Sequence, residues 1–545
     1  MKKMCVWLLI LVLWSNTGWS QDVKIEVNID FTGESIISPF KAGVTHTQKS
    51  VDPWGNATSV KNAKLLLDSV THFQNQHIMG WGTLNPWPDS TVINSNNWNW
   101  ESLDRRVNLM QETKGEPVIT LCASPTWMHT PAQNGKTDWN SIEKAPTKDH
   151  YDDFAHLCAE VARRYPDILY YQVWNEFKGF YNSAKNRWDY ENYTELYNMV
   201  FDSLKAVNPE ILIGGPYVVM DSWSTSAISH PSNLKGEYGV MDQRPLDVIN
   251  YWLQNKKGAD FITIDGGNSN KDGVWKTNGF KASQKFVDVI KWIRQRPGGG
   301  DSLPVWWAEW YTYPENYVRG NPVDLNYLNA YMAVGMMESI KAGYSTLLIW
   351  EPQGDASGLS FPLGIWTNTE ISGGGKPTPF YYTQKGLNEY FSEGETIFKV
   401  NLSLENVISV LASDSTVLLV NQLNETVNVT IEGYSNQIAL YPFEVRFIHY
   451  ADMIISSSDR KSSVGCHVYP IPFNNQLNIQ LEKFSGEQVI IELFSMEGML
   501  VRREELSVDH KNLITVHTGD LSRGVYILKM KDGATTYSKI VFKLY

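Results

Sequence analysis

Glu176 and Glu309 each close a short apolar run: Ile168-Leu169-Tyr170-Tyr171-Gln172-Val173-Trp174 leads into Asn175-Glu176, and Leu303-Pro304-Val305-Trp306-Trp307-Ala308 leads into Glu309. Runs of this length and composition predict buried strands. A carboxylate at the carboxyl end of such a strand stands where a parallel α/β barrel places its chemistry. One glutamate there is usually a solvated strand end. Two of them are the apparatus of glycosidic-bond cleavage, one protonating the leaving oxygen and the other attacking the sugar or activating water. Glu176 is therefore the candidate acid/base and Glu309 the candidate nucleophile.

The elements that must position them follow from periodicity. Strands are predicted at 40–47, 72–80, 117–124, 168–174, 211–215, 260–265, 304–308 and 344–350, spaced about 40 residues apart, with helical patterns between them. Phe154, Leu157, Cys158 and Val161 fall at i, i+3, i+4 and i+7, and Phe286, Val289, Ile290 and Ile293 repeat the pattern. Each set makes an amphipathic helix able to cover a sheet. This alternation predicts an α/β fold, a (β/α)8 TIM barrel, over an open doubly wound sheet. No Gly-rich phosphate loop follows the first strand, and Gly373-Gly374-Gly375 reads as a turn.

Residues 21–395 are assigned to the barrel, including a half-exposed strand near 23–37 outside the main repeat. Short β-type runs at 396–455 predict a small accessory β domain with which that strand can pair. A serine-rich linker at 456–463 precedes a last β module at 464–545. At the other end, Lys2 and Lys3 precede an apolar stretch too short to span a bilayer, and Gly18-Trp19-Ser20 offers small residues before a cut. Residues 1–20 are therefore expected to be a cleaved export signal. No later stretch has the length and apolarity of a transmembrane segment.

The chain has 545 residues and a net charge of −12, with no long basic run, so it offers no electrostatic basis for binding nucleic acid. Removal of Cys5 leaves Cys122, Cys158 and Cys466, an odd number that excludes a full disulfide framework. No cluster at ligand spacing suggests a metal, and no cofactor is expected. The composition is unusual in its 21 tryptophans. Their faces can stack on the apolar faces of sugar rings, although buried tryptophan is commonly core.

Val173-Trp174-Asn175-Glu176 on the fourth strand, Gly214-Gly215-Pro216 on the fifth and Trp307-Ala308-Glu309-Trp310 on the seventh resemble the clan A glycoside hydrolases, and most of all family 39. The resemblance spans roughly residues 40–450 and implies retention of anomeric configuration, with a polysaccharide or oligosaccharide as substrate. It departs from the family pattern on the sixth strand, where Ile264-Asp265-Gly266-Gly267-Asn268 stands in place of an expected His and Tyr, so the sugar is not carried over. Asn175 is a candidate partner for the sugar 2-hydroxyl and Trp350 a candidate floor beneath the reacting sugar. His46, Trp81, Trp127 and Asp265 are candidates to line the pocket. Glu351 is the rival nucleophile. The other readings are a different clan A endo-glycanase and a non-catalytic carbohydrate-binding protein on a barrel scaffold. In the tail, Val468-Tyr469-Pro470-Ile471-Pro472-Phe473-Asn474, Gly524-Val525-Tyr526-Ile527-Leu528-Lys529 and Ser538-Lys539-Ile540-Val541 resemble the type IX secretion sorting domain. That resemblance implies the type IX machinery as a partner and a secreted or cell-surface location.

Overall fold

The computed structural model describes residues 24–543 except 48–50, 52–53, 93–97, 313, 316–323, 354–363, 433–436, 451–465, 470–472, 474, 482–487, 496–498, 509–512, 523 and 533–534. The expected export signal and linker lie outside the described residues.

Eight parallel strands close into a barrel: β1 (Lys41–Thr45), β2 (Phe73–His77), β3 (Glu116–Leu121), β4 (Tyr170–Val173), β5 (Leu212–Val219), β6 (Phe261–Gly267), β7 (Val305–Tyr311) and β8 (Thr346–Trp350). Each coincides with an expected strand. The carboxyl ends differ: β1, β2 and β3 stop at Thr45, His77 and Leu121, short of the expected 47, 80 and 124, while β5, β6 and β7 run past Gly215, Asp265 and Ala308. Pro216 sits inside β5 opposite Thr263, and the register shifts just beyond that pair. A helix follows each strand: α1 (Ala57–Val70), α2 (Glu101–Glu112), α3 (Tyr151–Arg164), α4 (Tyr190–Val207), α5 (Gln243–Asn255), α6 (Gln284–Arg294), α7 (Leu325–Ala342) and α8 (Pro379–Tyr390). Phe154, Leu157, Cys158 and Val161 of α3, and Phe286, Val289, Ile290 and Ile293 of α6, are buried as their spacing requires.

The barrel interior is layered. At the amino-terminal end Phe73, Tyr170, Phe261 and Trp306 form an aromatic plug, with Phe261 stacked on Trp306 at 4.2 Å between ring centroids. Gly214 makes room for it, because a Cβ there would lie 2.0 Å from the Phe261 ring. Above the plug is a buried polar layer. Asn75 donates to Thr45 at 3.1 Å, Thr120 donates to Asn75 at 2.8 Å, Gln172 donates to Thr120 at 3.2 Å, and Thr45 donates to the Ala308 carbonyl at 2.9 Å. These bonds tie β1, β2, β3, β4 and β7 together beneath the mouth, where an unpaired buried polar group would cost about 1–3 kcal/mol.

Beside the barrel is a seven-stranded sheet in which Lys24–Ile37 pairs antiparallel with Thr396–Leu402 and parallel with Val427–Ile431. Ile25, Val27 and Ile29 point inward while their neighbours face solvent. Helix α7 is buried nearly all round because it packs against the barrel on one side and against Ile408–Ala412 and Thr416–Asn421 on another. Two compact units divide the chain, the larger ending at Ile448 and the smaller beginning at His449. The smaller unit holds a three-stranded and a four-stranded sheet around Leu477, Ile479, Ile491, Leu493, Ile514 and Leu528. No helix among the described residues is long and apolar enough to cross a membrane.

Candidate active site

The chain leaves β4 through a turn that bends back on itself. Trp174, Glu176 and Phe177 all have positive φ, at 70°, 50° and 56°. Such conformations cost roughly 1–3 kcal/mol each in a non-glycine residue and persist only where surrounding contacts impose them. Here Trp174 donates its indole N–H to the Lys178 carbonyl at 2.8 Å, and the Lys178 N–H bonds the Asn175 carbonyl at 3.0 Å. Trp81, Tyr217 and Glu351, near the ends of β2, β5 and β8, have positive φ as well. The turn carries Glu176 over the barrel mouth, where it meets Glu309 from β7 and Asp265 from β6. One carboxylate oxygen from each of the three lies within 4.8 Å of the others.

The three carboxyls are not equivalent. Glu176 is about a quarter exposed and pairs with Lys178 Nζ at 2.8 Å. Burial alone would discharge Lys178, but Glu176, Glu309 and Glu143 outweigh it and hold the ammonium well above its usual range. Glu143 Oε1 lies 3.2 Å from the same ammonium. Glu309 is buried, and its carboxyl is pushed well above the ordinary range first by burial and then by the charge of Glu176; Lys178 and a hydrogen bond from Tyr217 oppose this. The Tyr217 hydroxyl donates to Glu309 Oε1 at 3.0 Å and, being buried, stays protonated. Asp265 is fully buried and pushed up by burial and by both glutamates. Its Oδ1 accepts from the Gly266 N–H, which opposes the shift, while a side-chain contact with Glu176 adds to it. Three carboxylates at this spacing could also hold a cation. The positive charge present beside them is Lys178.

The residues expected from sequence are partly brought together. Asn175 is buried beside Glu176, with its amide against His77. Trp350 ends β8 and meets His77 edge-on at 6.5 Å, and Trp81 lies against the same His77 at 4.4 Å with Lys178 over its face at 5.1 Å. Trp127 is committed to the core, donating to the Trp87 carbonyl at 2.9 Å and packing against Trp87 and His150. His46 is buried against Gln74 at 3.0 Å, its imidazole held neutral by burial and by Arg106, with a pKa of about 3.

Three residues at the site carried no mark in the sequence reading: Tyr217, Lys178 and His77. His77 ends β2, fully buried beside Asn175; burial and Lys178 push its pKa down to about 3, with the Asn175 side chain opposing, so the ring is neutral. An aromatic just past Gly214-Gly215-Pro216 and a lysine two residues past Glu176 were the available signals.

An eight-stranded parallel barrel with carboxyl groups converging over its carboxyl-terminal mouth is the architecture of the barrel glycoside hydrolases. The chain belongs to the glycosyl hydrolases family 39, whose sequence model matches residues 52–416. It is thus a glycoside hydrolase, which decides against a non-catalytic barrel. The secretion system C-terminal sorting domain matches residues 467–543, so the protein is exported by the type IX system to the cell surface or the extracellular space. No curated protein sequence matches the chain. Among solved structures, SrfJ from Salmonella typhimurium aligns with a TM-score of 0.52 at 11% identity, over 77% of this chain and 91% of that one. The bacterial orthologue of human α-L-iduronidase gives 0.50 at 12% identity over 95% and 100%. A family 39 β-xylosidase from Caulobacter crescentus gives 0.49 at 14% identity over 75% and 83%. At these identities the likeness concerns the fold alone.

Proposed function

We propose that the enzyme cleaves glycosidic bonds of a polysaccharide or oligosaccharide with retention of anomeric configuration, using Glu309 as nucleophile and Glu176 as acid/base. The approach of their oxygens to within 4.8 Å carries this reading. Inverting enzymes hold their two carboxyls ~6.5–9.5 Å apart to admit a water, and retaining enzymes ~5–5.5 Å apart for direct attack. In the first step Glu309 attacks the anomeric carbon while Glu176 gives its proton to the departing oxygen, leaving a sugar esterified to Glu309. In the second step Glu176 takes a proton from water, which attacks the same carbon and releases Glu309.

The neighbours fit these roles. Tyr217 donates to the charged form of Glu309 and supports it as nucleophile. Entering sugar takes the place of Lys178 at Glu176, freeing that carboxyl to act on the glycosidic oxygen. Asn175, buried beside Glu176 and against His77, offers its amide to the 2-hydroxyl, a contact that strengthens as positive charge develops on the ring. Trapping the intermediate with a 2-fluoro glycoside and sequencing the labelled peptide tests the assignment. The label belongs on Glu309; finding it on Glu351 or Asp265 overturns the reading.

A further inference from the structure

Among the described residues only two tryptophans are exposed, Trp54 at 64% and Trp139 at 45%. They come from distant parts of the sequence, one just before α1 and one in the loop after β3, yet both line the same cleft of about 790 Å³. This volume falls within the ~300–1,000 Å³ typical of ligand clefts. Leu84, 50% exposed, adds further apolar surface to its wall. Arg105 lies 5.3 Å from the centre of the Trp54 ring and steadies it. Exposed indoles gathered on one concave wall are unusual on a soluble surface, where large apolar side chains normally scatter singly.

The cleft borders the catalytic group. Trp81 and Glu143 belong to its lining. Lys178 lies over the Trp81 face and joins Glu143 to Glu176. A ligand filling the cleft therefore reaches, within a few side chains, the carboxyl that must protonate the leaving oxygen. Its wall is indole, and its lining holds one carboxylate, Glu143, and one cation, Arg105, so it carries no net charge for an ionic ligand to match. Such a surface suits uncharged pyranose rings, whose apolar faces stack on aromatics while their hydroxyls bond the polar rim.

We propose that this cleft is a distal sugar-binding subsite, with Trp54 and Trp139 as stacking platforms for units of a neutral glycan beyond the bond being cut. The proposal rests on the glycosidase reading above and extends it: the substrate is a chain of several sugars, and affinity grows with its length.

The test uses Trp54→Ala, Trp139→Ala and the double variant of the full chain, with Trp→Tyr at each position as the conservative control. Both indoles are exposed, so folding is checked by thermal melting alone. Catalytically blocked Glu309→Gln protein, with and without the double change, is titrated with xylo-, laminari-, gentio- and cello-oligosaccharides of two to six units. At least one series should bind more tightly with length, and loss of each indole should weaken the longer members on the order of tenfold. The Tyr variants should recover part of that loss. With otherwise active protein, the ratio of kcat/KM for a five-unit over a two-unit substrate should fall in the same order. Binding in every series that is independent of length, or unaltered in the double variant, overturns the subsite. Binding that behaves as expected, in protein whose Glu309 is intact yet which cleaves none of the bound series, would instead count against the two-glutamate reading and leave the subsite standing.

Discussion

Replacing Tyr217 by Phe removes one hydroxyl and leaves the ring that fills the barrel interior. The lost bond is a buried 3.0 Å donation to Glu309 Oε1. Hydrogen bonds to charged groups are worth about 1.5–3 kcal/mol, which is about a 10- to 150-fold effect on a rate if the whole contribution is lost from the state that attacks. The direction in pH follows from which form is bonded. Tyr217 donates to the ionised carboxylate and so opposes the upward push of burial and of Glu176. Without it the Glu309 proton is held to still higher pH, and the acid limb of kcat/KM moves up by about 1–2 pH units, at 1.36 kcal/mol per unit. The measurement is a full pH–rate profile on an activated aryl glycoside, where protonation of the leaving group matters least. An acid limb that stays in place, with kcat/KM within twofold of the unaltered enzyme, would refute the claim that Tyr217 supports the nucleophile.

Glu309→Gln should abolish turnover of every substrate, whereas Glu176→Ala should still form the intermediate from an aryl glycoside, release it slowly and regain turnover with azide as a glycosyl azide; azide rescue of Glu309→Ala with retained stereochemistry would reverse the roles. Proton NMR of the first product before mutarotation should show the configuration of the substrate, and an inverted product would mean that a water stands between the carboxyls. A chain ending near Ser457 should keep its activity when purified yet fail to reach the medium or cell surface in its native host. Loss of activity in that shortened but folded protein would show that the tail does more than direct export.

The barrel was legible because its periodicity is physical. Each strand is buried on both faces and each helix on one, and the resulting alternation of short buried runs with helical periodicity survives in a single sequence. Positions of strand ends are less constrained, and the misses concentrate there. Ending β5 at Gly215 hid Tyr217, which lies two residues further along a strand that continues through Pro216 to Val219. Side-chain direction was equally invisible. His46 and His77 both sit at the ends of barrel strands, and nothing in their neighbours tells that one turns to Gln74 and the other toward Trp81 and Trp350. Trp127 and Trp139 differ in the same way, one tied into the core by its indole N–H and the other left in the open. A residue's type gives what it can do; the left-handed turns after β2, β4 and β8 determine where it is aimed.

The arrangement of charge at the mouth explains how three carboxyls can serve a reaction that needs two. Carboxyl oxygens within 4.8 Å of one another cannot all be ionised in so dry a site. Burial pushes Asp265 and Glu309 in the same direction, but their surroundings differ. Glu309 has the Tyr217 hydroxyl and feels the Lys178 ammonium, both of which favour its charge. Asp265 has the N–H of its neighbour Gly266 to favour its charge, against burial, both glutamates and a side-chain contact with Glu176 that favour its neutral form. In the proposed reaction Glu176 carries the proton and Glu309 the negative charge, and an Asp265 held toward its neutral form adds no third charge beside them. Attack on an anomeric carbon with protonation of the leaving oxygen requires that distribution. In that proposed reaction the carboxyl on β6 and the tyrosine on β5 act together: Asp265 is held toward its neutral form, and the Tyr217 hydroxyl favours the charge of Glu309.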